Sequence, residues 1–294
     1  MSALLLLALS LPCIVAAQGG DNRAALERAG VARLCIDADP TRREALPTPG
    51  TTPRPGVASP TRAPWIVANG WRFMRRPGTK YAYDVPAGKA ALAAAEAFAY
   101  GADAALTIDP ADAKSVAEML NFLAALPAVD LPSVADFALV DDGSPETGEV
   151  MNLLARRNLL FAVVQAPTPE HRINIRIGST DYSRADAADP SAFATRIRRQ
   201  LTDEQRALRI YGSEVVICRL TAAAGRARLH LINYGGREIE GLRIRLRGAY
   251  GGGAARVAGI GPLTLQDRAV AGGATEFSLP RLTSYAVIDL QSAR

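Results

Sequence analysis

Residues 134–167 read VADFALVDDGSPETGEVMNLLARRNLLFAVVQAP, and this stretch decides the fold class. Val134–Val140 is an apolar run of strand length, broken by Asp141-Asp142-Gly143. Ser144 then supplies a capping hydroxyl, Pro145 suits the first helical position and Glu146 places an acid in the first turn. Val150, Leu153, Leu154 and the stem of Arg157 share one helical face. Asn158 ends the helix, and Leu159–Val164 is a second buried strand. A strand–helix–strand unit of this kind needs a right-handed crossover in a parallel sheet. It sets Asp141, Asp142 and Ser144 beyond the carboxyl end of a strand, where open α/β sheets usually keep their sites.

Outward from this unit, strands and helices alternate between Ala104 and Gln200: strands Ala104–Ile108 and Ile173–Ile177, helices Asp112–Ala125 and Pro190–Gln200. The alternation predicts a doubly wound, flavodoxin-like parallel sheet. An alanine-rich helix over Lys89–Tyr100, ended by Gly101, precedes it. Further upstream, Asn22–Ala29 reads as a helix and Val31–Ile36 as a strand. Leu46–Pro64, with its repeated prolines, reads as a linker or extended wrap.

Near Ala207 the hydrophobic period changes. Val215–Leu220, Arg226–Asn233, Leu242–Leu246, Ala255–Ala258, Thr275–Leu279 and Ser284–Leu290 are short β runs, several separated by Gly235-Gly236, Gly251-Gly252-Gly253 and Gly272-Gly273. They predict a small antiparallel β-sandwich. Arg243, Arg245 and Arg247 alternate along one run as on a solvated face, and His230 shares the arginine side of another. The expected division is a removable leader over 1–17, a strand–helix segment and linker over 18–64, an α/β domain over 65–206 and the sandwich over 207–294.

With 294 residues, 49% of them hydrophobic, the chain can bury two modest cores. The apolar run Ala3–Leu11, followed by Val15-Ala16-Ala17, predicts secretory cleavage and a mature start at Gln18. The run is short for a bilayer span, so the mature chain is expected to lack a transmembrane segment and to be secreted or periplasmic. Of the cysteines that remain, Cys35 and Cys218 lie in different expected domains. They read as buried free thiols, with pairing in an oxidising compartment as the alternative. The net charge of +5 comes almost wholly from arginine, since Lys80, Lys89 and Lys114 are the lysines. That excess fits a GC-rich bacterial coding bias. No basic run is interleaved with stacking aromatics, so nucleic acid is not an expected partner.

The order of these parts resembles the non-catalytic back half of family-42-type bacterial β-galactosidases. There a class-I glutamine-amidotransferase-like α/β trimerisation domain is followed by a small β-sandwich. The residues that carry the resemblance are the 134–164 unit together with LRIYGSEVVICRL (208–220) and RARLHLINY (226–234), and the similarity spans about residues 86 to 294. It also resembles secreted bacterial proteins that hold this pair of domains without the catalytic barrel. The resemblance implies a carbohydrate ligand and a homo-oligomer. An amidotransferase needs a nucleophilic cysteine at a sharp strand-to-helix turn. Here the turn is Asp141-Asp142-Gly143-Ser144 and no cysteine lies between Cys35 and Cys218, so that reaction is not implied.

Two groups of residues are candidates for a site. Asp141, Asp142 and Glu146, with Ser144, could act as acid and base, hold a cation or bond sugar hydroxyls. Equally, they could be acids drawn to a helix N-terminus by its dipole. Trp65, Asn69, Trp71, Tyr81 and Tyr83 suit an apolar sugar face with hydrogen bonds at its rim, or the anchoring of the proline-rich wrap. Neither His171 nor His230 has ligands at metal spacing, and Gly88-Lys89 lacks the glycines of a phosphate loop, so no metal and no cofactor is expected. The leading reading is a secreted, non-catalytic, carbohydrate-associated binding or assembly module. The alternatives are a glycan-acting hydrolase using Asp141, Asp142 and Glu146, and a structural oligomerising protein of the cell envelope.

Overall fold

The computed structural model describes residues 11–16, 20–35, 43–46 and 69–292. It contains parallel sheets with helices and an antiparallel β-sandwich at the C-terminal end, in two compact units: residues 1–49 with 76–130, and residues 50–75 with 131–294. Most of the expected proline-rich wrap lies outside the described residues.

The first unit runs β1 (Cys13–Val15), α1 (Gly20–Arg28), β2 (Leu34–Cys35) and β3 (Glu44–Leu46). After α2 (Gly70–Arg75), which belongs to the second unit, it resumes with β4 (Lys80–Asp84), α3 (Ala90–Ala99), β5 (Asp103–Thr107) and α4 (Ala113–Ala124). The sheet order is β2-β1-β5-β4-β3, parallel throughout. Small residues on α3 (Ala90, Ala93, Ala94, Ala97) are buried, which lets it lie close to the Val116, Met119, Leu120 and Leu123 face of α4. Gly101, at φ +64°, ends α3: its N–H donates to the Phe98 carbonyl and the Ala102 N–H to that of Ala97.

This sheet bears on the N-terminal segment and corrects the reading of Cys35. β1 has strands on both sides and Ile14 is fully buried, so cleavage after Ala17 would take an interior strand out of the sheet. Cys35 pairs with Cys13 rather than with Cys218. Cys218 is a free, buried thiol whose pKa is pushed up by desolvation.

The second unit opens its parallel part with β6 (Phe137–Val140), α5 (Pro145–Arg156), β7 (Phe161–Val164), β8 (Asn174–Ile175), α6 (Arg184–Ala187) and α7 (Pro190–Gln205), which is broken at Thr202. Its sheet is β7-β6-β8. The parallel strands therefore form two sheets, where the alternation predicted one. Pro127 and Pro132, which lack an N–H, flank the passage between the units. β6 also starts later than expected: Val134 donates to the Leu220 carbonyl and Ser133 bridges Thr221, so this end of the run pairs with the sandwich. The core under β6 gathers Trp71, Phe137, Leu139, Val150, Met151, Leu154, Phe193 and Ile197.

The sandwich comprises β9 (Leu208–Tyr211), β10 (Val216–Ala223), β11 (Arg226–Asn233), β12 (Ile239–Arg247), β13 (Tyr250–Val257), β14 (Gly261–Leu263), β15 (Gln266–Ala271), β16 (Ala274–Leu282) and β17 (Tyr285–Ser292). Its sheets are β10-β11-β17-β13-β14 and β15-β16-β12-β9. All six expected runs are strands. Gly251-Gly252-Gly253 is not a turn, however: it lies within β13, where a Cβ on Gly253 would collide with Leu290 Cδ2. His230 is buried rather than solvated, with Nδ1 2.7 Å from the Tyr285 hydroxyl.

Polar side chains bind the sandwich to the parallel layer. Asn158, at φ +53° just past α5, donates to the Val216 carbonyl and accepts from the Cys218 N–H, both at 2.8 Å. Buried Arg206 reaches the Asn158 carbonyl at 3.1 Å, and Asp136 accepts from the Ala207 N–H at 2.9 Å. The expected boundary at 206/207 thus falls inside one compact unit.

Candidate functional site

The acidic turn lies where the sequence predicts, between β6 and α5. Ser144 caps α5, accepting from the Thr147 N–H at 3.2 Å, with Pro145 in the first turn. Asp141 and Asp142 close tight local turns: Asp141 accepts from the Gly143 N–H at 2.9 Å and Asp142 from the Ser144 N–H at 3.0 Å.

Arginines then occupy the carboxylates. Arg75 of α2 lays its fork on Asp141, with Nε 2.8 Å from Oδ2 and Nη2 2.7 Å from Oδ1, and Nη2 also reaches the Ser144 carbonyl at 3.0 Å. Both partners are mostly buried, at 16% and 9% side-chain exposure. Arg184 of α6 bridges Asp142 (3.2 Å) and Glu146 (2.5 Å) on the exposed side. Desolvation pushes the Asp141 carboxyl upward, but the Arg75 bonds, the Gly143 N–H and the Arg75 charge outweigh it and leave the pKa lowered. At Asp142 desolvation is likewise outweighed, by bonds from Ser144 and Thr147 and the Arg184 charge, which hold the pKa near 2. Carboxylates fixed in this way stay ionised at any physiological pH. A general acid needs the reverse, a raised pKa.

Of the aromatic group, Trp65 lies outside the described residues, Asn69 and Trp71 belong to the second unit, and Tyr81 and Tyr83 belong to the first. All four described members are buried, at 1%, 6%, 2% and 4% exposure. Trp71 packs over Gly148 of α5, where an added Cβ would lie 3.2 Å from the ring. Tyr81 donates to the Arg76 carbonyl at 3.0 Å and carries a pKa raised by desolvation and then by Glu44.

Sequence reasoning missed Arg75 and Arg184, which complete the acidic cluster. Arg75 lies 66 positions from Asp141, and no local pattern marks it as a partner. Among the described residues, no group of three or more His, Cys, Asp or Glu could hold a metal ion, and no helix is long and apolar enough to cross a membrane.

No protein-family model and no curated protein matches the chain. Among solved structures, α-L-fucosidase isoenzyme 2 from Paenibacillus thiaminolyticus is similar at a TM-score of 0.60 and 10% identity, over 78% of this chain and 63% of that one. The chain therefore spans less than two thirds of that protein, and the likeness is one of fold. A GH30 endoxylanase from Clostridium papyrosolvens C71 matches at a TM-score of 0.22 and 10% identity, over 78% of this chain and 61% of the other. At that score it carries no argument.

Proposed function

We propose that this chain is an exported, non-catalytic module with a glycan-related function, working by binding or assembly. The observation that carries the reading is the arginine-locked acidic turn. Asp141 lies under the Arg75 fork, and Asp142 and Glu146 share Arg184. One guanidinium fills the space between the two exposed acids, whereas a glycosidase needs its carboxyl groups to face each other across room for a sugar. The fold likeness to the Paenibacillus α-L-fucosidase supports the glycan association. At finer grain we propose kinship with the amidotransferase-like domain and sandwich of family-42-type β-galactosidases. The Cys13–Cys35 disulfide supports export, because such bonds persist in oxidising compartments.

Affinity electrophoresis of the full chain through gels containing a panel of polysaccharides tests this reading. Retardation by at least one polysaccharide, with no reducing sugar released on incubation, is expected. Release of sugar that disappears in Asp142→Asn with folding intact would favour the hydrolase alternative instead.

A further inference from the structure

Along β12, Leu242, Ile244 and Leu246 are buried in the sandwich, which turns Arg243, Arg245 and Arg247 to the outer face of the sheet β15-β16-β12-β9. The register sets Arg245 directly opposite Arg209 and Arg243 opposite Tyr211. Like charges placed directly opposite disfavour pairing, so this arrangement calls for compensating anions. Those present are shared. Glu276 serves Arg243 at 3.1 Å and Arg245 at 3.8 Å. Asp203 serves Arg198 at 3.5 Å, Arg206 at 3.3 Å and Arg209 at 3.0 Å. Arg247 donates to the Gln205 carbonyl at 2.8 Å, and Asp136 adds one deeper negative charge near Arg206 and Arg247. Six arginines thus share three carboxylates. Arg245 Nη1 is in addition a buried donor with no hydrogen-bond partner among the described residues.

Tyr211 stands within this field, partly exposed, with the Arg209 guanidinium 4.7 Å from its ring centre. An aromatic ring flanked by guanidinium groups pairs an apolar sugar face with charge-assisted bonds to carboxylates. Strands that bind nucleic acid usually offer several rings to successive bases, and this face offers one. From the charge complementarity we infer that the outer face of β15-β16-β12-β9 docks an anionic polysaccharide of the uronate type. The inference rests on the glycan-related reading above and names its ligand class.

The test is calorimetric titration of the full chain with polygalacturonate at low salt, beside a neutral glucan and duplex DNA of matched charge. Binding to polygalacturonate that weakens with rising salt is expected. The double variant Arg243→Gln/Arg247→Gln should lose about tenfold in affinity, as charge-assisted bonds of ordinary strength imply, with an unchanged melting temperature. Tyr211→Ala should lose affinity for polygalacturonate as well. Should the double variant fail to fold, Arg247→Gln alone, at an exposed position, decides through a loss of about threefold. Affinity unchanged in the folded variants, or equally tight binding to duplex DNA, would overturn the inference. Binding to the neutral glucan alone would overturn it and leave the glycan-related reading standing. Binding to no polysaccharide at all would overturn both.

Discussion

Arg75 and Asp141 show a candidate residue of the sequence met by a countercharge from far along the chain. The acid was legible, because a strand ending in Asp-Asp-Gly before a Ser-Pro-Glu helix start has few other conformations open to it. Its partner was not, since Arg75 comes from a distant helix. Replacing Arg75 with leucine should destabilise the protein by about 3 kcal/mol in denaturant titration, because a mostly buried carboxylate loses its countercharge. A change within about 0.5 kcal/mol would show the pair to be incidental. His230 is the other residue whose surroundings the sequence hid. Burial first, and then the charges of Arg219 and Arg228, lower its pKa from the ordinary value to about 3. The unfolded chain takes up that proton near pH 6.5 while the folded one does not. Stability from this residue is therefore complete above about pH 6.5 and lost as pH falls toward 3, with a slope near 1.4 kcal/mol per pH unit. In His230→Gln, urea titrations between pH 6.5 and 4 should lose about that much slope. An unchanged slope would show that His230 is protonated in the folded state.

At the level of elements, strong local signals were read correctly and tertiary ones were not. The capped helix α5 and the six alternating strands carry their periods in sequence. β1 does not, being three residues long and defined by its neighbours in the sheet. α2 has six residues, too few for a helical period, and its place is set by contact with α5. That contact depends on Gly148, where a Cβ would lie 3.0 Å from Arg75 Nη1 and 3.2 Å from the Trp71 ring. In an open helix Gly→Ala would add about 1 kcal/mol of stability. Here Trp71 is buried and Arg75 is pinned by Asp141, so neither can give way easily. Gly148→Ala should instead cost about 1–3 kcal/mol in thermal unfolding, and a rise in melting temperature would refute the close packing of α2 on α5.

Across the whole molecule, the change of period near Ala207 coincides with the start of β9, inside one compact unit. Arg206, Ala207 and Leu208 are buried, and Asn158 ties α5 to β10. Such long-range bonds leave no trace in local composition. The first unit should carry its own covalent tie. Peptide mapping without reduction should recover Cys13 linked to Cys35 and Cys218 as a free thiol, and a Cys35–Cys218 peptide would contradict the sheet order around β1. The claim on which the functional reading turns is that the acidic edge of β6 holds structure rather than performs chemistry. The direct measurement is the rate of aryl-glycoside hydrolysis, over a panel of sugars, by the full chain and by Asp142→Asn/Glu146→Gln. A structural edge predicts buffer-level rates for both proteins, with polysaccharide binding the same in each. Turnover by the unmodified chain that vanishes in the variant, at an unchanged melting temperature, would contradict it.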